Sequence, residues 1–172
     1  MAPHPLSRPR DTLIRAFLLS FIPTILLFDA LPIYPRHLVP TTLLNIHAWY
    51  IDFFNDVLVK HSPSWYQSFL TIELGFELPV AIWSVGKLGA GNKNTGAVYP
   101  VLLVWAVVCA LTTGVCVVEF LRSPEMSQKE KGMMAAMYGG YGLIFAAIGA
   151  DVFGRMVKLA KHVGLEGAKK KL

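Results

Sequence analysis

The residues of this chain best placed to do chemistry are acidic side chains within long apolar stretches. They are Asp29, Glu73, Glu77, Glu119 and Asp151. A carboxylate deep in hydrocarbon costs at least about 2.5 kcal/mol, so each one must be protonated, paired or hydrated. If the surrounding stretches span a membrane, these acids indicate either a functional site or polar contacts between helices.

The composition favours a membrane protein. Of 172 residues, 54% are hydrophobic and only 16% are charged, whereas globular chains average about 25% charged. The apolar content excludes a disordered chain. Cys109 and Cys116 would lie about 10 Å apart on one helix, which excludes a disulfide between them. Most of the net charge of +5 falls in short tails and loops, which argues against nucleic acid as a partner. No metal, haem or nucleotide motif is present, and we expect no cofactor.

Four stretches have the roughly 20 apolar residues that a helix needs to cross a bilayer. The predicted spans are residues 12–33, 65–85, 96–121 and 132–157. We therefore predict an all-α membrane protein, in which one domain over residues 1–172 forms a four-helix bundle. Pro23 and Asp29 interrupt the first apolar run, which is also too long for a cleaved signal peptide.

The positions of Lys and Arg predict the orientation, because basic flanks stay in the cytosol. Eleven of these residues fall on the side of the chain termini and five on the other side. Both termini are therefore predicted to be cytosolic, with residues 158–172 as a basic tail. The final Lys169, Lys170, Lys171 and Leu172 resemble a dilysine signal for retention in the endoplasmic reticulum, although lysine tails also serve as simple anchors.

The loop between the first two spans, residues 34–64, is predicted to be lumenal and folded. Its apolar residues recur every three or four positions, as in an amphipathic helix at the membrane surface. They are Leu43, Leu44, Ile46, Trp49, Tyr50, Phe53, Phe54 and Val57. We expect this segment to act as a lid.

Asp29 and Glu73 are predicted to lie in the same half of the membrane, where they could meet. Two carboxyl groups in a low dielectric cannot both ionise easily, so one should keep its proton and donate it to the other. Glu77 lies one turn beyond Glu73 on the same helical face. Pro79 and Pro23 each free a backbone carbonyl one turn earlier, which predicts kinks beside the acids.

Two interpretations of these acids remain open. They could satisfy hydroxyl or backbone groups and hold helices together, or they could form the polar end of an apolar cavity. Possible aromatic walls are Phe28, Phe69, Phe76, Tyr138 and Tyr141. Glycine and alanine in the fourth span favour close helix approach, or equally a homodimer. Glu119 and Asp151 lie near span ends and could pair with headgroups or with Arg122 and Arg155.

Three segments carry a resemblance to a known family. They are the run from Phe17 to Asp29, the loop segment from Trp49 to Asp56, and the run from Pro63 to Pro79. They resemble the EXPERA-domain family, and within it the sigma-2 receptor branch. The match is specific over roughly residues 12 to 85 and then thins to the span count and the Tyr138 to Tyr141 pattern.

The resemblance implies a helical bundle of the endoplasmic reticulum membrane that binds sterols and cationic amphiphilic amines. It further implies that Asp29 pairs with a ligand ammonium, that Glu73 hydrogen-bonds to Asp29, and that Asp56 orders the loop. The physical argument agrees, because an amine entering oil needs a counter-ion and its hydrocarbon body needs apolar walls.

Two alternatives follow from other family members. The emopamil-binding member is a sterol double-bond isomerase whose site uses a histidine with carboxylates. Here the five histidines, His4, His37, His47, His61 and His162, all lie outside the predicted spans. Glu73 and Glu77 could act as acid and base, but we expect no enzyme activity. A fungal-type relative implies assistance to mitochondrial precursors at the reticulum surface.

Overall fold

The computed structural model describes residues 8–89 and 95–169, and every long element in these ranges is a helix. The elements are α1 (Arg8–Thr24), α2 (Thr41–Phe54), α3 (Val57–His61), α4 (Ser64–Ile72), α5 (Leu78–Lys87), α6 (Tyr99–Arg122) and α7 (Gln128–Lys169). A π-helical turn over Ile25–Asp29 extends α1, and a second one over Glu73–Glu77 joins α4 to α5 without a break. The predicted all-α class is confirmed.

Within the described ranges, three helical segments are long and apolar enough to cross a membrane: Pro9–Asp29, Ser64–Lys87 and Gly96–Arg122. The fourth predicted span, residues 132–157, lies inside α7, which is not among these three. With 42 residues, α7 is about 63 Å long, so it extends well beyond a hydrocarbon core of about 30 Å. The predicted basic tail is helical through Lys169, and Lys170, Lys171 and Leu172 lie outside the described residues.

The α6–α7 pair forms the centre of the bundle, and small residues set its spacing. A Cβ added at Gly149 would lie 3.5 Å from the Cβ of Ala106, and one at Gly142 would lie 3.6 Å from the Thr113 methyl group. These two glycines therefore allow α7 to pack closely against α6 of the same chain. At the start of α7, Ser127 and Glu130 accept from each other's backbone N–H, a reciprocal cap that fixes where the helix begins.

Two clusters of buried side chains hold the helices together. In the larger cluster, Trp105 of α6 meets Phe21 of α1 and Phe145 of α7 edge to face, with ring centroids 5.5 Å and 5.4 Å away. In the smaller cluster, residues of α3 and α4 pack against the other end of α6 and α7 around Phe120 and Met134. The loop between the first two spans is thus a packed part of the domain.

Charged residues fix the end of the bundle opposite this loop. Asp11, Tyr99, Asp151 and Arg155 form what we call the Arg155 cluster. The Arg155 guanidinium pairs with the carboxylates of Asp11 and Asp151, and the Tyr99 hydroxyl lies 3.2 Å from both oxygens of Asp11. Exposed Arg10 donates to Asp151 over 2.6 Å. The cluster therefore ties α1, α6 and α7 together, and it realises the expected pairing of Asp151 with Arg155.

Candidate functional site

The two π-helical turns position the acids. The N–H of Ala30 donates to the Ile25 carbonyl over 2.9 Å, and the N–H of Leu78 donates to the Glu73 carbonyl, so both bonds reach back five residues. A π-helical turn inserts one extra residue and is frequent at functional sites. Pro23 precedes the first turn and Pro79 follows the second, where prolines interrupt regular hydrogen bonding. Regular α-helical hydrogen bonding is thus replaced by a π-helical turn beside each proline, where kinks were predicted.

Both turns border a partly open cavity of about 280 Å³ within the bundle. This volume lies close to the lower end of the usual range for small-molecule sites, about 300 Å³. Its wall is mostly apolar. The lining residues are Phe21, Thr24, Phe28, Asp29, His47, Tyr50, Val59, Tyr66, Phe69, Leu70, Glu73, Glu77, Thr112, Thr113, Cys116, Met137, Tyr138, Tyr141 and Phe145.

The structure brings Asp29, Glu73 and Glu77 to this one cavity. Glu77 is buried, whereas Asp29 and Glu73 are half-buried. The Trp105 indole N–H donates to the backbone carbonyl of Glu77 over 3.0 Å, which anchors the second π-helical turn to α6. Asp29 and Glu73 border the cavity from different helices, and the hydrogen bond expected between their carboxyl groups stays a prediction.

Four of the five aromatic residues predicted as walls line the cavity: Phe28, Phe69, Tyr138 and Tyr141. Phe76 does not line it. It packs against the larger core cluster, because the π-helical turn over Glu73–Glu77 rotates it away from the helical face that a regular helix would give it. Tyr141 and Phe28 are 36% and 38% exposed. Two aromatic residues of the wall are therefore partly exposed at the surface of the bundle.

Asp56 orders the loop beside the cavity. It is fully buried and caps α3, because its carboxylate accepts from the N–H groups of Leu58 and Val59 over 3.0 and 3.1 Å. The same carboxylate accepts from the hydroxyls of Tyr50 and Tyr138 over 2.8 and 3.2 Å. Burial raises the pKa of Asp56, and these hydrogen bonds oppose the rise. Asp56 thus links α2, α3 and α7.

His47 is the functional candidate that sequence reasoning missed. It belongs to α2, outside any span, yet it lines the cavity together with Tyr50 one turn away. Burial lowers the pKa of His47, while the Asp56 charge opposes the shift. The spacing of His47, Tyr50 and Phe54 on one helical face was the available signal.

Acidic groups predominate among the ionisable residues that line the cavity. Three carboxyl groups line it and a fourth, Asp56, lies behind the Tyr50 hydroxyl, whereas no Lys or Arg of the described residues is among the lining. A site of this composition favours a cationic or hydrogen-bond-donating group at its acids and an apolar body against its rings. Of the two remaining acids, Asp151 belongs to the Arg155 cluster and Glu119 is exposed on α6.

Comparisons with known proteins identify a family and similar chains. Residues 42–152, more than half of the chain, match the model of a family described as EXPERA, the expanded EBP superfamily. The human and Macaca fascicularis proteins named sigma intracellular receptor 2 are 40% identical over 69 residues, which cover 40% of this chain. Those residues span 39% of the length of these two relatives. The Xenopus tropicalis protein of that name is 29% identical over 134 residues, covering 74% of this chain and 78% of the relative.

Proposed function

The chain belongs to the EXPERA family, and from this premise we propose that it binds a sterol or a cationic amphiphile in the cavity described above. One observation carries the proposal: three carboxyl groups converge on an aromatic-lined cavity inside a membrane protein, and among the described residues no Lys or Arg lines that cavity. A carboxylate in such a place is costly unless a ligand or proton satisfies it. The same group can pair with an ammonium or accept from a sterol hydroxyl.

The cellular setting forms part of the same proposal. The protein is a four-span protein of the endoplasmic reticulum membrane with both termini in the cytosol and the loop over residues 34–64 in the lumen. The excess of Lys and Arg on the terminal side supports this orientation. The length of α7 supports a fourth crossing. We propose a role in sterol homeostasis or trafficking, which the resemblance to the EXPERA family implies.

Asp29→Asn is expected to weaken binding of a cationic amphiphile by about 1 kcal/mol or more, because an ionic partner becomes a neutral one of the same shape. Affinity is measured by titrating a radiolabelled amine into purified protein in nanodiscs. Asp52→Asn is the matched control, since Asp52 is exposed on α2 and does not line the cavity. If the two folded variants bind the amine with equal affinity, Asp29 is not part of the binding site.

A second candidate function rests on His47. An imidazole and three carboxyl groups around one cavity are of the types that serve as the acid and the base of a double-bond shift in a sterol ring. The sequence argued against this activity because no histidine lies in a predicted span, whereas the position of His47 in the cavity lining supports it.

The isomerase candidate is tested by incubating purified protein with an unsaturated sterol and analysing the products by gas chromatography. If the candidate is correct, a shifted double bond forms, and His47→Gln abolishes it while His61→Gln does not. His61 is the control because it is exposed and pairs with Glu125 over 2.8 Å. If the wild-type protein forms no product from any of the sterols tried, the isomerase candidate is rejected and the proposed binding function is retained.

A further inference from the structure

Helix α2 presents three faces with different surroundings. None of its residues is fully buried, and its largest exposed side chains are Trp49, Phe53 and Ile46, at 59%, 55% and 42% exposure. At about 100° per residue, these three fall within an arc of about 60°. We call this arc the outer apolar face of α2. The Trp49 and Phe53 rings stack on it with centroids 5.3 Å apart.

A second arc of the same helix faces the protein. His47, Tyr50 and Phe54 are half-buried and lie about 100° around the helix from the outer apolar face. His47 and Tyr50 line the cavity, and the Tyr50 hydroxyl holds Asp56. The sequence pattern treated all the apolar residues of α2 as one face, whereas the structure divides them between the cavity and the outside.

The third arc is polar and exposed. Thr41, Asn45 and Asp52 lie on the far side of the outer apolar face from the cavity. A helix that contacts protein, lipid and water on successive sides has a packed face, an exposed apolar face and a polar face in this order. A helix surrounded by water, or buried between proteins, has no physical reason to carry an exposed apolar arc between its packed arc and its polar arc.

We propose that the outer apolar face of α2 is a membrane-docking surface, inserted into the bilayer interface at the loop end of the bundle. The chain enters and leaves this region from two membrane-span helices, one ending at Asp29 and the other beginning at Ser64, which keeps α2 near the membrane boundary. Leu27, Ile33 and Leu38, which lie between α1 and α2 in the chain, are exposed as well. Tryptophan and phenylalanine on such a helix suit the interfacial zone.

This placement makes α2 the partition between the bilayer and the cavity. Its outer side chains contact lipid, and its inner side chains, one residue away in sequence, contact the ligand space. Lipid contact on one side then sets the position of His47 and Tyr50 on the other.

The test measures tryptophan quenching by brominated phospholipids in nanodiscs that hold one copy of the full chain. The emission of Trp49 is obtained by subtracting the spectrum of Trp49→Phe from that of the wild-type protein. We expect loss of the Trp49 emission with lipids brominated near the headgroup, smaller loss with lipids brominated near the bilayer centre, and little effect of aqueous iodide. Quenching by iodide alone overturns the proposal, and so does protection from both quenchers, which indicates a protein contact.

Two further variants move the reporter around the same helix. In the Trp49→Phe background, Phe53→Trp keeps a tryptophan on the outer apolar face and should reproduce the lipid quenching. Asp52→Trp in the same background places it on the polar arc and should respond to iodide instead. Equal lipid quenching at both positions overturns the assignment of faces. No ligand is involved, so failure here is distinct from failure of the binding function.

Discussion

Arg155→Met is expected to destabilise the protein by about 3–5 kcal/mol, because removing one partner of a buried ion pair leaves an uncompensated charge. Arg155 and Asp11 are each only 7% exposed, and Asp11 has no other cationic partner in the described part of the chain. The loss would appear as a lower midpoint of thermal unfolding in detergent, followed by circular dichroism. Three helices meet at this cluster, so the whole bundle should lose stability together.

Two comparisons separate this effect from a general cost of altering charge. Arg10→Met removes an exposed partner of the same Asp151 and should cost at most about 1 kcal/mol. The double variant Asp11→Leu with Arg155→Met removes both charges and should be more stable than Arg155→Met alone. If all three variants unfold at the same temperature, the Arg155 cluster does not hold the helices as described.

Asp56→Ala is expected to cost about 3 kcal/mol or more. It removes the cap of α3, worth about 1 kcal/mol, and leaves the hydroxyls of Tyr50 and Tyr138 without their acceptor, at about 1–3 kcal/mol each when buried. Because both tyrosines line the cavity, ligand affinity should fall as well. Thermal unfolding and amine titration on the same samples measure the two effects.

Asp52→Ala is the matched control for this variant, since Asp52 lies four residues earlier in the chain on the exposed polar arc of α2. It should change the free energy of unfolding by less than about 0.5 kcal/mol, as is usual for surface substitutions. If Asp56→Ala behaves like Asp52→Ala, Asp56 is not the link between α2, α3 and α7.

The sequence was most informative where one physical rule dominates. Apolar length predicted the helices, and the cost of a charge in hydrocarbon singled out Asp29, Glu73 and Glu77, which the structure brings to one cavity. Whether these residues bind a ligand is still a prediction. The resemblance to the EXPERA family, based on residues 12 to 85, is confirmed by the family match over residues 42–152.

The sequence was less informative where local geometry or distant pairing decides. A π-helical turn shifts the faces of a helix by one residue, and Phe76, which was predicted as a possible wall residue, packs against the larger core cluster instead. His47 reaches the site from a loop helix, which no count of spans can show. Asp11 and Arg155 are 144 positions apart, and their contact depends on how α1 and α7 pack.

Mass spectrometry of the lipid that copurifies with the protein from sterol-containing membranes addresses the binding function itself. Thr24→Phe should fill the cavity, because Thr24 lines it, whereas Thr71→Phe alters an exposed threonine that makes the same hydroxyl bond to the carbonyl four residues back. We expect bound sterol in the wild-type protein and in Thr71→Phe, and its loss in Thr24→Phe. If sterol is absent from the wild-type protein, or equal amounts remain in both variants, the cavity is not a sterol site.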